Sequence, residues 1–367
     1  MRRFVVFVAL VVAAPASAAP FTLELTAPAA ATYGDQTVLR GHVVPALVGA
    51  PVTILRDGTP FASATTGPDG GFSLRIRAEA PATYEARAGE LASLPVALAV
   101  RPRIRAHIVG TGVVGWPLRL DARVEPAGSL RIEVRRDGRR SVARDFAGSA
   151  RIGLGTRQAT SFRIVLAAVP RPGWAPATRV LRESVVEPHL ALGSRGASVR
   201  VLEQRLSELR FALPWVDGYY GLDTTQAVIA FQKVHGLART GRVDARLWRL
   251  LSRAQAPRAR YDGTHIEISK GRQVLFVVRD GKVVLVVHVS TGATGNTPLG
   301  TFHVYRKVVG WDWVLWYPLY FVGGFAIHGY PSVPAYPASH GCVRVPMWIA
   351  PRLFATNPWG RTVYVYW

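Results

Sequence analysis

The chain has 367 residues, which is enough for two to four domains, and 49% of them are hydrophobic while 19% are charged. This composition is typical of a globular protein with a sizeable core. The single cysteine excludes an intramolecular disulfide. The formal net charge of +22 is carried almost entirely by arginine, because lysine occurs only at positions 233, 270, 282 and 307.

A charge of this size favours nucleic acid, an anionic membrane surface or an acidic polymer as partner. The arginines are spread along the chain, with their densest cluster at positions 135–140, and no basic helix interleaved with aromatic residues stands out. We therefore expect no nucleic-acid partner. An acidic polymer fits better, and a general preference for arginine is the alternative.

The first eighteen residues, Met1–Ala18, have the pattern of a secretory signal. Arg2 and Arg3 precede an apolar run, Phe4–Ala14, and the small residues Ala16–Ala18 form a cleavage site. The apolar run is too short to span a membrane as a helix. We expect an exported protein that meets the membrane only transiently, through its signal, and an uncleaved N-terminal anchor is the alternative.

Short alternating runs separated by Gly, Pro and Asp-Gly turns fill residues 19–188. The runs fall into two sets, 19–100 and 101–188, and each set is typical of a β-sandwich. We predict two Ig-like sandwiches that serve as spacers, with Asp57, Asp69 and Asp137 as turn residues. The predicted strands are Phe21–Leu25, Thr37–Val43, Pro51–Leu55, Phe72–Ile76, Val96–Val100, Ile104–Ile108, Pro117–Val124, Leu130–Val134 and Ser161–Leu166.

Helical periodicity begins after residue 188 and continues to about residue 251. Ser198–Leu209 and Thr224–Val234 each place apolar residues on one face, and Asp244–Leu251 starts with an acidic cap. The turn Asp217–Gly221, with sequence DGYYG, separates the first two helices. We predict a small three-helix bundle over residues 189–254.

The glycines before the first helix, its Leu-Glu-Gln at 202–204, the DGYYG turn and the Phe-Gln pair at 231–232 occur in a fixed order. In this order they resemble the peptidoglycan-binding type 1 domain, over residues 193–251. The resemblance implies a glycan or stem-peptide ligand. Tyr219, Tyr220 and Gln232 are the candidate groove residues.

After a short linker, Gln255–Tyr261, strands again alternate with tight turns, and we predict a mostly β domain over residues 261–367. An aromatic-rich segment, Trp311–Phe321, precedes His328. Aromatic residues at this density favour a core, with a wall or lid facing a substrate as the alternative. The predicted strands are His265–Ser269, Gln273–Arg279, Val283–Ser290, Gly300–Lys307 and Val363–Val365.

The only cysteine, Cys342, lies close in sequence to two histidines, His328 and His340. A cysteine attacks as its thiolate, so it needs a neighbouring base, and either histidine can take the proton. Gly341 allows a substrate to approach backbone N–H groups that could stabilise an oxyanion. These residue types indicate acyl transfer. The alternatives are a buried, inert cysteine and a zinc site, although the paired ligand spacing of a structural zinc site is lacking.

Two separated motifs support the catalytic interpretation. Ser290–Phe302 reads STGATGNTPLGTF, and Ser339–Arg344 reads SHGCVR, with an Ile-His-Gly upstream at Ile327–Gly329. Together they resemble the YkuD-type L,D-transpeptidases over about residues 261–367. The resemblance implies a mostly β YkuD-type catalytic domain without metal or cofactor. It also implies cross-linking of peptidoglycan stem peptides through a cysteine thioester, and hence a role in cell wall biogenesis and cell shape.

Carried onto this sequence, the resemblance makes Cys342 the nucleophile and His328 the base, oriented by the backbone carbonyl of Gly329. The backbone N–H groups of Gly341 and Cys342 are the implied oxyanion donors.

Ser339 and His340 would shape the pocket, and Arg344 would meet a substrate carboxylate. Three prolines between residues 331 and 337 predict a compact loop over the site.

We therefore expect a secreted cell-envelope enzyme that acts on peptidoglycan stem peptides and glycan. An L,D-carboxypeptidase, in which water replaces the acceptor amine, and a catalytically inactive wall-binding protein are the alternatives. The sequence leaves the oligomeric state open.

Overall fold

The computed structural model describes residues 20–367, and most of their regular structure is β-strand. The predicted fold class, a multidomain and mainly β chain with a small helical unit, is confirmed. The predicted signal, Met1–Ala18, lies outside the described residues. The domain limits given above stay predictions.

The first set of strands forms two facing sheets, ordered β1-β3-β6 and β2-β9-β7-β4-β5, with β8 paired to β7. Inward and outward residues alternate, so that Leu23 and Leu25 of β1 are buried while their neighbours are exposed. The predicted strands are present with slightly shifted ends. The strands are β1 Thr22–Thr26, β2 Ala30–Thr32, β3 Gln36–Val44, β4 Pro51–Arg56, β5 Thr59–Thr65, β6 Gly71–Arg77, β7 Ala82–Ala88, β8 Leu91–Ala92 and β9 Val96–Arg101.

The second set repeats this arrangement with sheets ordered β10-β11-β14 and β13-β12-β15-β16. Their inner faces enclose a separate apolar core that includes Leu120, Leu130 and Ile164. The strands are β10 Arg103–Gly110, β11 Leu118–Glu125, β12 Ser129–Arg136, β13 Arg139–Ala147, β14 Ser149–Leu154, β15 Thr160–Ala168 and β16 Thr178–Val185.

Asp-Gly turns close the hairpins β4-β5 and β12-β13, as the sequence predicts. The φ angles are 48° and 80° at Asp57 and Gly58, and 47° and 79° at Asp137 and Gly138. Positive φ at both central residues matches the right-handed twist of the flanking strands, and Asp-Gly adopts it readily.

Three helices follow: α1 Ala197–Glu208, α2 Leu222–Val234 and α3 Ala245–Leu251. The predicted apolar faces are buried, including Leu202 and Leu206 of α1 and Phe231 of α2. Asp244 caps α3, since its side chain accepts a hydrogen bond from the Leu247 N–H at 2.8 Å.

The C-terminal region contains two sheets, ordered β19-β18-β17-β26-β20 and β21-β23-β24-β25, with β22 paired to β23. A fourth helix, α4 Ala350–Thr356, is absent from the sequence prediction, because it is as short as α3 but lacks a capping side chain like that of Asp244 to mark its start. The strands are β17 His265–Ser269, β18 Val274–Arg279, β19 Lys282–His288, β20 Gly300–His303, β21 Arg306–Lys307, β22 Trp311–Asp312, β23 Leu315–Val322, β24 Phe325–Tyr330, β25 Val343–Pro346 and β26 Thr362–Tyr366.

The helical unit and the C-terminal sheet share one apolar core. Phe231 and Trp248 from the helices pack in the same cluster as Phe276 and Val286 from β18 and β19. The segment after α1 adds to the sheet edge, because the Ala212 N–H donates to the Val286 carbonyl at 2.9 Å. The helices are therefore fixed against the strand that leads into the Ser-Thr-Gly motif.

Candidate active site

The two sequence motifs lie side by side. Ser290 pairs with Arg344, and Gly292 pairs with Ser339, in isolated backbone bridges. The Ser339 N–H donates to the Thr291 carbonyl at 3.0 Å, and the Ser290 and Arg344 backbones exchange hydrogen bonds of 3.0 and 2.9 Å. Residues about fifty positions apart in sequence thus form one structural unit around Cys342.

Cys342 immediately precedes β25 and is partly buried. Strands β24 and β25 run parallel with Ile327 opposite Val343, so Cys342 aligns with Ala326. Because residues two apart on a strand share a face, Cys342 and His328 are diagonal neighbours on one face. Side chains of this size can meet across such a diagonal.

Burial raises the pKa of the Cys342 thiol, while a backbone hydrogen bond at Ala326 and the positive charge of Arg344 oppose the increase. The thiol is therefore protonated at neutral pH, and a protonated thiol needs a base before it can act as a nucleophile.

His328 is 2% exposed, and its Nδ1 lies 2.9 Å from the carbonyl oxygen of Gly329. This contact makes Nδ1 the protonated nitrogen and leaves the lone pair of Nε2 free to accept a proton. Burial lowers the pKa of His328 to about 4, since the hydrogen bond to Gly329 only partly offsets desolvation and Arg344 adds repulsion. The ring is neutral at physiological pH.

Gly329 is required by packing. A Cβ at this position would lie 2.8 Å from the Trp316 ring and 2.9 Å from the Ala350 side chain. Any larger residue would displace the carbonyl that orients His328.

Ser339 clamps the turn that carries the cysteine. Its hydroxyl donates to the Cys342 carbonyl at 2.6 Å and accepts from the Gly341 N–H at 3.0 Å. The Gly341 N–H is therefore already engaged in this conformation. Ser339 is 4% exposed, so its contacts are with the turn rather than with an open pocket.

Gly341 has a φ of 136°, and a Cβ there would lie 2.1 Å from the Phe325 ring. Both the backbone conformation and the space exclude other residues. The sequence predicted a glycine for substrate approach, and the structure adds this packing reason.

Thr297 and Asn296 hold the same turn from the first motif. The Thr297 hydroxyl accepts from the Gly292 N–H at 2.9 Å and donates to the Gly341 carbonyl at 2.7 Å. The Asn296 amide donates to the His340 carbonyl at 2.6 Å. Their positions in the first motif are visible in the sequence, but the contacts depend on the fold.

His340 is exposed, and Arg344 is half-buried with its guanidinium 4.0 Å from the centre of the Tyr330 ring. Tyr330 in turn lies edge-on to His328 at 5.8 Å. Arg344 therefore shares the face of the parallel strands that carries Cys342 and His328.

The aromatic-rich segment divides between core and surface. Leu319 and Phe321 are buried, whereas Trp311 and Trp313 are 53% and 89% exposed. The expectation of a core is therefore correct only for the later part of the segment. Trp316 connects the two parts, since it stands opposite Gly329 in the β23-β24 pairing.

A buried link from α2 to the loop over the site is absent from the sequence prediction. The Lys233 Nζ contacts the Gln273 carbonyl, His288 Nδ1 and the Val289 carbonyl at 2.9, 2.7 and 2.8 Å. The Nε2 of His288 lies 2.7 Å from the carbonyl of Val333 in the proline-rich loop. The helical unit thus reaches the active-site loop through two side chains.

Among the candidate groove residues of the helical unit, only Tyr219 is exposed, and the guanidinium of Arg195 lies 4.1 Å from its ring centre. Tyr220 and Gln232 are buried, so the prediction for these two is wrong. The Tyr220 hydroxyl donates to the Gly241 carbonyl, and the Gln232 amide holds the same loop. Trp215, which lies outside the predicted groove set, is 72% exposed near the turn.

Within residues 20–367, His, Cys, Asp and Glu side chains do not gather in any group of three or more that could hold a metal ion. Over the same residues, every helix is too short or too polar to cross a membrane.

Comparisons with known proteins agree with this geometry. A family model described as the L,D-transpeptidase catalytic domain (YkuD) matches residues 263–365, and one described as a putative peptidoglycan binding domain matches residues 195–251. No curated protein matches the chain.

Two solved structures are similar to the chain. An L,D-transpeptidase from Xylanimonas cellulosilytica is 38% identical, with 48% of this chain and 97% of that chain covered and a TM-score of 0.47. An L,D-transpeptidase from Mycobacterium smegmatis is 12% identical, with 73% and 99% covered and a TM-score of 0.27. The catalytic-domain match spans residues 263–365, the C-terminal region that holds both motifs together with Cys342 and His328.

Proposed function

We propose that this protein cross-links peptidoglycan stem peptides through a thioester on Cys342. The observation that carries the proposal is the position of Cys342 on the same strand face as His328, whose Nδ1 is bound to the Gly329 carbonyl. A protonated thiol and a neutral imidazole with a free Nε2 are the pair that general-base activation of a nucleophile requires.

In the first half-reaction, Nε2 of His328 takes the Sγ proton as sulfur attacks the carbonyl carbon next to the terminal D-alanine. The tetrahedral intermediate collapses with cleavage of the C–N bond, and His328 returns the proton to the leaving amine. The product is a thioester on Cys342 and free D-alanine.

In the second half-reaction, the side-chain amine of a second stem attacks the thioester. His328 removes a proton from this amine, the C–S bond breaks, and the proton returns to sulfur. The result is an amide cross-link and a regenerated thiol.

The Cys342 N–H is the proposed oxyanion donor. Gly341 can contribute a second N–H only if Ser339 releases it, because that hydrogen bond is formed in the resting conformation. Arg344 is the proposed partner of a substrate carboxylate, and His340, which is exposed, is proposed to shape the substrate side of the turn.

The remaining units support a location in the cell envelope. We propose export through the N-terminal signal, and binding of peptidoglycan at the exposed Tyr219 and Trp215 of the helical unit. The two β-sandwiches are proposed spacers between this unit and the N-terminus. The substrate is then peptidoglycan, with neither nucleic acid nor a permanent membrane contact required.

The test is mass spectrometry of the purified protein with a tetrapeptide-stem disaccharide, with Cys342→Ala and His340→Ala as variants. We expect a thioester adduct on Cys342, released D-alanine and a dimeric product. The Cys342→Ala variant should form none of these, whereas His340→Ala should retain the adduct.

The product distinguishes the alternatives. An adduct that yields only a trimmed monomer would favour an L,D-carboxypeptidase. Absence of adduct and turnover in a folded sample would favour a wall-binding protein without catalysis, and full activity of Cys342→Ala would refute the cysteine mechanism.

A further inference from the structure

Four arginines form one row across the outer face of the sheet β13-β12-β15-β16. The pairing registers place Arg140 opposite Arg135, Arg135 opposite Arg163, and Arg163 opposite Arg182. All four side chains are exposed, and on the two central strands the adjacent Val134 and Ile164 are buried in the core. With strands about 4.8 Å apart, the row is about 14 Å long.

Like charges directly opposite one another destabilise a sheet. Only Arg135 has an ion-pair partner within the described chain, Glu133 at 2.5 Å. The hydrogen bond from Arg135, together with the charges of Arg140 and Arg163, lowers the pKa of Glu133. Three positive charges of the row thus lack a carboxylate of their own among residues 20–367.

On the opposite sheet of the same sandwich, neighbouring arginines share a carboxylate. Arg105 and Arg123, which also face each other, both contact Glu125 at 3.0 Å. Arg119 and Arg151 likewise share Asp121. Carboxylates therefore neutralise neighbouring arginines on that sheet, and the four-arginine row is an exception within its own domain.

We propose that the row Arg140-Arg135-Arg163-Arg182 binds a linear acidic polymer of the cell wall, whose repeated phosphate or carboxylate groups lie across the strands. Guanidinium groups match both anions in a bidentate manner. The sandwich would then hold the enzyme on the wall independently of the helical unit, rather than act only as a spacer. The choice of a wall polymer rests on the proposed function.

The surroundings of the row favour this partner over nucleic acid or a membrane. The other outward positions of these strands carry no aromatic residue; they include Ser129, Arg131, Glu133, Asp145, Val165, Ala167 and Val180. Single-stranded nucleic acid is usually bound on stacking aromatic side chains, and membrane-surface elements insert large apolar ones. A cationic row without either feature fits a polymer that is recognised by charge.

The test compares two triple variants of the full chain. One replaces the three unpaired arginines, as Arg140→Gln, Arg163→Gln and Arg182→Gln. The control removes the same charge from exposed positions of the first sandwich, as Arg40→Gln, Arg75→Gln and Arg77→Gln. Binding to long-chain polyphosphate, to poly-L-glutamate and to purified walls, before and after removal of their acidic polymers, is measured over a salt series.

If three phosphate contacts are lost, the log–log salt slope falls by about two, which is about a hundredfold in affinity at 0.1 M salt. We expect this loss of affinity only in the variant that lacks the three row arginines. It should be seen on intact walls and on whichever soluble polymer, polyphosphate or poly-L-glutamate, carries the anionic group that the row recognises. We expect no difference on extracted walls. Thermal stability of the row variant should be unchanged or higher, because like charges have been removed.

Equal losses of affinity in both triple variants would overturn the proposal, because binding would then depend only on total positive charge. Wild-type affinity in the row variant would also overturn it. A larger loss on single-stranded DNA or anionic vesicles than on walls would overturn the choice of partner. Turnover of the soluble stem substrate is measured on the same samples. Since the row is remote in sequence and fold from Cys342, this activity should persist, which separates a failure here from a failure of the proposed enzyme.

Discussion

Replacement of Lys233 by methionine tests the buried link between α2 and the active-site loop. The side chain is 3% exposed, and its three contacts lie in the core shared by the helical unit and the C-terminal sheet. Burial lowers the pKa of Lys233, and burial likewise lowers that of His288, which is therefore neutral. Because His288 Nε2 donates to Val333, Nδ1 is an acceptor, and three acceptors surround the lysine.

The methionine fills the space but donates nothing. The Gln273 carbonyl keeps a hydrogen bond from the Val289 N–H at 3.2 Å, whereas the Val289 carbonyl and His288 Nδ1 lose their donor. Each buried acceptor left unpaired costs about 1–3 kcal/mol, so we expect a loss of about 3 kcal/mol in the free energy of unfolding.

The assay is urea denaturation followed by tryptophan fluorescence, with Lys282→Met as the matched control. Lys282 is exposed in the hairpin between β18 and β19, so its replacement should change stability by less than about 0.5 kcal/mol. Amide hydrogen exchange in the loop 331–337 should accelerate in Lys233→Met, because His288 loses the group that fixes its ring.

A double variant, Lys233→Met with His288→Leu, sharpens the interpretation. Removal of both polar partners should cost less than the sum of the single losses, as expected for groups in contact. A Lys233→Met protein within about 0.5 kcal/mol of wild type, with unchanged exchange in the loop, would refute the reasoning.

Three further predictions concern the site itself. Gly341→Ala should abolish thioester formation while most of the fold persists, because its Cβ would meet the Phe325 ring at 2.1 Å and its φ is 136°. An adduct at the wild-type rate would contradict this. Gly153→Ala is the control, at a position with open space and no positive φ. The value of kcat/KM should decrease as pH is lowered through about 4, because His328 becomes protonated there. The pKa of His328 in the folded state lies below its ordinary value of about 6.5, so the unfolded state binds the proton first as pH falls. The free energy of unfolding should therefore fall by about 3 kcal/mol between about pH 6.5 and pH 4, and this contribution is fully present only above about pH 6.5. A His328→Asn variant that keeps the same pH dependence of unfolding would show that other groups cause it.

The local parts of the structure could be predicted from the sequence. The strands of both sandwiches follow from alternation, and Asp57-Gly58 and Asp137-Gly138 form the turns expected of Asp-Gly. The cap at Asp244 and the buried faces of α1 and α2 follow from local pattern as well. These features depend on residues within a few positions of one another.

The burial of two side chains contradicts their predicted place in a ligand groove. Tyr220 and Gln232 lie beside Tyr219 in the predicted groove set, yet they are buried and hydrogen-bonded to the loop at Gly241 and its neighbours. An exposed aromatic residue and a structural one look alike in a sequence motif. Which is exposed depends on the packing of elements that are distant in the chain.

The sequence alone determined which residue types meet near Cys342, because the thiol, the histidines and the glycines stand in two recognisable motifs. Only the tertiary structure decided their relative positions and their protonation states. Parallel pairing of β24 with β25 placed His328 on the face of Cys342, and desolvation then made both groups neutral. Spacing along a chain specifies which groups are present, whereas burial and cross-strand register, which depend on distant residues, set their pKa values and their contacts.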